Sequence, residues 1–180
     1  MLCTYKESVA LFGSHYALMK ELKNKRIYKV KDGLYSTEKK PKDLAVFVKE
    51  HKDAVFTLES AFYYWGMSDT IPDVYVVATD KDATKYNESG VKQYFLNNDL
   101  IDVGVTVIEH NGTMIPVFNK ERLLIELARY KDKLPYDYYK EIVNYYRDHL
   151  DDISISLVLE YLDKFPKSKM LGKIIGLEIL

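Results

Sequence analysis

Residues 14–36, SHYALMKELKNKRIYKVKDGLYS, decide how the chain reads. Ser14 is placed to cap a helix. At about 100° per residue, His15, Leu18, Met19 and Leu22 fall on one face, and Tyr16, Lys20, Lys23 and Asn24 on another. Ile27, Val30 and Leu34 follow among strand-like neighbours, and Asp32-Gly33 offers the tight turn of a two-stranded hairpin. A buried stripe under an exposed Lys/Tyr face, followed by a basic hairpin, is the layout of a winged helix-turn-helix. In that motif the helix enters the major groove and the wing touches the backbone.

Outward from this stretch, residues 4–12 predict a short helix with Thr4 as its cap, and Gly13 predicts the turn between two helices. Residues 37–42, TEKKPK, are polar and contain Pro41, and they mark the predicted domain boundary. The expected division is a winged unit over 1–40 and an α+β unit over 41–180. In the second unit, helices are expected over 42–52 and 59–65, the latter ending at Gly66. Strands are expected over 54–58, 73–79 and 91–96, with a polar loop over 80–90. Asn111-Gly112 joins strands over 103–110 and 113–118 and is the strongest hairpin signal in the chain. Helices over 120–130, 135–149, 154–165 and 167–180 form a helical tail. On the second of these, Tyr139, Ile142, Val143, Tyr146 and Leu150 make one stripe. The fold class expected is α+β, with a small, mostly antiparallel sheet.

The 180 residues are 47% apolar, enough for a real core. No run approaches the ~18 apolar residues of a membrane span, and no signal-peptide pattern opens the chain. One cysteine, Cys3, excludes an internal disulfide framework. Together these read as cytoplasmic. Net charge is −1, but its distribution is uneven: residues 1–40 carry nine basic and four acidic residues, net +5, and the remainder carries −6. A basic head on an acidic body suits a nucleic-acid contact confined to the head, or else a solvated charged surface.

Signatures of catalysis are missing from the sequence. There is no phosphate loop, no G-x-G-x-x-G, no H-E-x-x-H and no G-x-S-x-G. His15, His51, His110 and His149 fall on different elements without ligand spacing. Gly13-Ser14 is similar to the opening of a nucleotidyltransferase motif, but cations stand where that motif needs metal-binding carboxylates. Pro72-Asp73 lacks the carboxylate–lysine set of a nuclease. Asp80 with Asp82 reads as a solvated turn. Glu109 with His110, Cys3 with His15 and Glu121 with Arg122 have no third catalytic partner. Sixteen tyrosines are many for this length. Tyr63, Tyr64 and Trp65 read as helix packing, whereas Tyr136, Tyr138 and Tyr145 fall off the apolar stripe and point to an interface.

Three stretches resemble the AbiEi family of antitoxins from type IV (abortive infection) toxin–antitoxin systems of bacteria. Gly33-Leu34-Tyr35-Ser36 is similar to that family's G-[VIL]-Y wing exit. Residues 57–72, TLESAFYYWGMSDTIP, resemble its small-residue-plus-aromatic helix and the Ile-Pro that follows. Residues 119–129, NKERLLIELAR, resemble its ER-[TA]-L-x-D helix, with Glu126 in place of the usual Asp. The resemblance implies an N-terminal winged helix that binds inverted repeats in promoter DNA and represses its own operon. It implies a C-terminal domain serving antitoxicity. The functional partner would be a nucleotidyltransferase-like toxin, countered without a stable complex. The family's further helix before Thr4 has only three residues to form from here, so a winged helix with its first helix missing or trimmed is expected.

The expected function is therefore a phage-defence antitoxin and transcriptional repressor, not an enzyme, with no cofactor and no metal. Tyr16, Lys20 and Lys23 are expected to face the groove, with His15 at the helix start. Lys25, Arg26, Lys29 and Lys31 are expected to bind phosphates. The alternatives are a protein-interaction module without DNA binding, or a nuclease-like enzyme with a scattered active site.

Overall fold

Thr4 closes a reciprocal cap. Its hydroxyl accepts from the Glu7 amide, and its own amide donates to Glu7 Oε2 at 2.8 Å. That cap opens α1 (Tyr5–Phe12) in the computed structural model, which describes residues 1–179. Leu180, the end of the helix predicted over 167–180, lies outside the described residues. Gly13 then takes φ +85, which a residue with a Cβ adopts only with strain. Ser14 caps α2 (His15–Lys23) by accepting from the Ala17 amide at 3.1 Å. The hairpin β2 (Tyr28–Lys31) and β3 (Leu34–Ser36) follows as predicted. Only Gly33 of its turn has positive φ, so the turn is not type I′. The register shifts between Lys29 and Lys31 to accommodate it.

Two features of this unit were not legible in the sequence. Leu2–Thr4 forms a strand, β1, which pairs antiparallel with β3 and gives a sheet of order β1-β3-β2. Strand, helix, turn, helix and two-stranded wing are the connectivity of a winged helix-turn-helix. The compact unit also runs to Lys52 rather than ending at Pro41. Helix α3 (Asp43–Glu50) belongs to it because it packs on β1. Lys49 pairs with Glu7 of α1, and Lys31 of the wing pairs with Glu50. The third helix of this winged unit thus follows the wing. The core is Leu18, Ile27 and Tyr35, flanked by Val9, Phe12 and Leu22.

The second unit, from Asp53, is built on a sheet of order β6-β5-β4-β8-β7. Its strands are β4 (Val55–Phe56), β5 (Tyr75–Asp80), β6 (Val91–Leu96), β7 (Val105–His110) and β8 (Thr113–Phe118). The sheet is mixed, not mostly antiparallel: β4 pairs parallel with β8 and β5 parallel with β6, while β4–β5 and β7–β8 are antiparallel. Asn111 and Gly112 both have positive φ, which is the type I′ turn their pairing predicts. Between β4 and β5, α4 (Leu58–Tyr64) is fastened by Ser60, whose hydroxyl accepts from the Val76 amide at 2.8 Å. Trp65 Nε1 donates to the Phe118 carbonyl at 2.9 Å.

A short turn, α5 (Asn98–Ile101), was not predicted. The tail holds α6 (Lys120–Arg129), α7 (Tyr136–Asp148), α8 (Ile155–Leu162) and α9 (Ser168–Glu178). On α7, Tyr139, Ile142, Val143 and Tyr146 are buried as the stripe predicts, and Leu150 beyond it is half-buried. Of the three off-stripe tyrosines only Tyr136 is exposed; Tyr138 and Tyr145 are half-buried. Helix α6 is buried without a break from Arg122 to Ala128.

Within α6, the Arg122 guanidinium lies 4.4 Å from the ring centroids of both Phe118 and Phe165. It donates to the carbonyls of Leu100 and Val103 at 2.7 and 3.0 Å and to Glu126 at 2.8 Å. Its other terminal nitrogen, 2.7 Å from Glu126 Oε1, is off-axis for a hydrogen bond and makes an ion pair only. Burial pushes this group down from its ordinary pKa, and Glu126 pulls it back. Gly104 faces it at φ +74, where a Cβ would come within 2.6 Å of the Arg122 Cβ.

Arg122→Ala should therefore destabilise the protein by about 3–5 kcal/mol in urea denaturation. Arg122→Met, which keeps volume between the rings, should lose less. In the winged unit, the Lys49 ammonium and the Thr4 cap hold the Glu7 carboxyl down to about 2 from 4.5. Because the folded value is the lower one, this stabilisation is complete above about 4.5 and is lost as pH falls through about 2. A melting-temperature series over that range should be flatter for Glu7→Gln than for the native chain.

Candidate nucleic-acid interface

The exposed side of α2 carries Tyr16, Lys20 and Lys23, one helical turn apart from each other. Tyr16 is 80% exposed and anchors the N-terminal end of the stripe. Among the described residues, neither Lys20 nor Lys23 has an acidic partner within ion-pair distance. The buried side is narrower than the sequence periodicity suggests. Leu18 is fully buried and Leu22 half-buried, but His15 and Met19 are exposed. His15 leaves the core because its Nδ1 is 3.1 Å from the Tyr5 hydroxyl on the surface. Met19 joins Tyr16 and Lys20 on the outer face, an apolar element suited to a base edge or a thymine methyl.

Beyond α2 the chain turns through a Schellman motif. The Arg26 amide donates to Glu21 and the Lys25 amide to Leu22, each at 3.1 Å. That places Lys25 at φ +57, a position glycine ordinarily fills. Its ammonium has no acidic partner among the described residues. The other three predicted phosphate ligands are each already engaged: Arg26 with Glu21 at 3.4 Å, Lys29 with Asp32, and Lys31 with Glu50. Asp32 holds the Lys29 pKa up, and Lys29 holds the Asp32 pKa down. Exposed pairs of this kind contribute at most about 1 kcal/mol and can be exchanged for a phosphate. Of the predicted ligands, Lys20, Lys23 and Lys25 have no ion pair among the described residues, whereas the wing lysines do.

The residue pairs that suggested chemistry all have structural partners. Glu109 Oε1 accepts from the Gly112 amide within the hairpin, and the His110 ring lies 4.7 Å from Tyr64 of α4. Glu121 accepts from the Ser154 amide at the start of α8. Asp80 accepts from the Asp82 amide in a turn. Cys3 is buried in β1, whereas His15 is exposed. Each histidine lies against an aromatic ring, His149 stacking on Tyr145 at 4.1 Å. Among the described residues, no helix is long and apolar enough to cross a membrane.

The fold and this face define a two-unit α+β chain headed by a winged helix-turn-helix whose outer helix face is cationic and aromatic. No family model matches the chain, and no curated protein matches it. Among solved structures it is similar to the crystal structure of the RV2827C protein from Mycobacterium tuberculosis. The identity is 14% and the TM-score 0.63, over 98% of this chain and 71% of that one. At that identity the likeness extends to the fold alone.

Two residues were missed by sequence reasoning as part of this face or its strain: Met19, assigned to the core by periodicity, and Lys25 as a left-handed residue. The N-K-R run after the helix is a polar helix-stop signal that could have identified the latter. Lys25→Gly should raise stability by roughly 0.5–1 kcal/mol by relieving the left-handed lysine. The shift in denaturation midpoint checks it.

Proposed function

We propose that the chain is a cytoplasmic antitoxin of the AbiEi kind that represses its own operon. It binds inverted repeats in double-stranded promoter DNA and counters a nucleotidyltransferase-like toxin without a stable complex. The observation that supports this best is the face of α2. Tyr16, Lys20 and Lys23 are free of acidic partners on the second helix of a helix-turn-helix whose opposite side is locked on Ile27 and Tyr35. The three stretches resembling that family also have clear structural uses. Gly33 turns the wing, Leu34 and Tyr35 are buried, Ser60 and Trp65 fasten α4, and Arg122 and Glu126 pair inside α6.

Unit charge agrees with this use. Residues 1–52 carry twelve basic and six acidic residues, net +6, and the rest carries −7. Phosphate contacts then come from the first unit, and affinity falls steeply with salt as counterions are released.

In a gel-shift titration on DNA from upstream of its own operon, Lys20→Glu with Lys23→Glu should weaken binding by about tenfold or more. The salt slope should fall by about 2. Lys29→Glu with Lys31→Glu should cost less, since both lysines already have acidic partners. Unchanged affinity in the Lys20/Lys23 variant would overturn the proposal, as would absence of promoter binding by the native chain.

A further inference from the structure

The five-stranded sheet of the second unit ends in β6 on one side and β7 on the other. An open strand edge is a row of unpaired amides and carbonyls, which folded chains guard with lysine, proline, a bulge or a covering segment. β6 carries the exposed Lys92 and holds residues 84–86 beside it through the Gln93 side chain. Gln93 Oε1 accepts from the Tyr86 amide at 2.8 Å, and Nε2 donates to the Thr84 carbonyl at 3.2 Å. β7, VTVIEH, has no lysine, no proline and an unbroken register with β8. It also shows an apolar face to solvent: Val105 is exposed, Val107 is 54% exposed, and Met114 beside them on β8 is 58% exposed.

The Asn111-Gly112 turn fixes which backbone groups of β7 face outward. In a two-residue hairpin the residues flanking the turn exchange both hydrogen bonds, and bonded pairs alternate from there. His110–Thr113, Ile108–Ile115 and Thr106–Val117 are then the bonded pairs, and Glu109–Met114, Val107–Pro116 and Val105–Phe118 are the pairs between them. Pro116 agrees with this phase, since it has no amide to give. Val105, Val107 and Glu109 therefore aim their amides and carbonyls away from β8. The Val105 amide turns back to the Asp102 carbonyl at 3.5 Å, but among the described residues no backbone group outside the hairpin bonds to Val107 or Glu109. The Glu109 carboxylate is drawn toward the turn by the Gly112 amide at 3.2 Å.

We propose that β7 pairs antiparallel with β7 of a second copy of this chain, about a twofold axis that passes through Val107 perpendicular to the sheet. All the outward groups lie on odd-numbered residues, so this axis sets outward groups against outward groups and keeps the two faces in phase. Each Val107 amide donates to the other copy's Val107 carbonyl, and each Glu109 amide to the other copy's Val105 carbonyl. The Val105 amide, already engaged, is not required. Charge fits as well: Glu109 is the one acid of the strand, and the axis sets it opposite Val105 and not opposite its own copy. Pro116 and Val107 of each copy form a continuous apolar row. A contact of one strand on another falls below the about 1,200 Å² of a standard interface, so the dimer is weak, with Kd of roughly 10–500 µM. The surface lies wholly in the second unit and does not depend on what the winged unit binds.

The test uses the full chain. Sedimentation over about 10–500 µM should show a monomer–dimer equilibrium. The two Val107 Cα atoms would stand about 5.5 Å apart, within reach of a disulfide, whereas the two Val105 Cα atoms would be offset by roughly 13 Å along the strands. Val107→Cys should therefore cross-link under mild oxidation at least about tenfold faster than Val105→Cys, with both thiols equally open to a small monomeric reagent. Cys3 is buried, so the native chain supplies the background. Val107→Lys sets two ammonium groups opposite each other, and Val107→Pro removes a bonding amide at an edge where proline is tolerated. Each should weaken the dimer about tenfold or more at native melting temperature. A monomer alone at about 500 µM, cross-linking of Val105→Cys as fast as that of Val107→Cys, or a dimer unchanged in both Val107→Lys and Val107→Pro would each overturn the proposal.

Discussion

A guanidinium held between two phenylalanine rings sets the second unit. Arg122 is fully buried, and a charge in that position is tolerable only when every face of it is occupied. Phe118 at the end of β8 and Phe165 beyond α8 cover its planes, and the carbonyls of Leu100 and Val103 and the Glu126 carboxylate take its edge. Glu126 is shared with Arg129, whose Nη1 reaches both carboxylate oxygens at 2.7 and 2.8 Å. The fork of donors is rigid, so these partners admit one register of α6 against the sheet and the α5–β7 turn. Gly104 follows from the same constraint, since any side chain there would collide with Arg122. The charge itself contributes little net stability over an apolar residue of equal volume; its effect is geometric.

That constraint also explains what the sequence could not convey. Read alone, NKERLLIELAR is an amphipathic helix whose charged residues face water, yet Arg122 and Glu126 are among the most buried side chains of the protein. Local signals were legible because their physics is local. The caps at Thr4 and Ser14 and the Asn111-Gly112 turn each depend on residues a few positions apart. Pairing is not local. Leu2–Thr4 becomes a strand only because β3 offers it an edge, and β4, two residues long, becomes the middle of a sheet only because β5 and β8 flank it. The predicted α2 face was right in period and wrong in width, because burial depends on what packs opposite. Tyr5 draws His15 outward, which the spacing of α2 cannot reveal.

The winged unit takes part of its support from the segment that follows the wing. Helix α2 rests on the small cluster of Leu18, Ile27 and Tyr35, so an additional layer is valuable. Helix α3 supplies it from after the wing, packing on β1 and reaching α1 and β2 through Lys49–Glu7 and Lys31–Glu50. Extending the unit to Lys52 leaves its charge asymmetry intact, because residues 41–52 add three basic and two acidic residues. The electrostatic reading of the head therefore does not depend on where its boundary is drawn.

Lys25 separates what stabilises this head from what it presents. A left-handed residue with a Cβ costs about 1–2 kcal/mol relative to glycine. A cation just past a helix C-terminus recovers about 0.3–1 kcal/mol from the helix dipole. The strain exceeds the recovery, and the lysine makes no ion pair that would close the gap. For the fold alone, glycine would serve better at φ +57. What the lysine adds is a cation whose backbone position, two residues past Lys23, is held by the Schellman hydrogen bonds of Lys25 and Arg26. A cation held at a net cost to stability is what the proposed contact with a phosphate backbone would use.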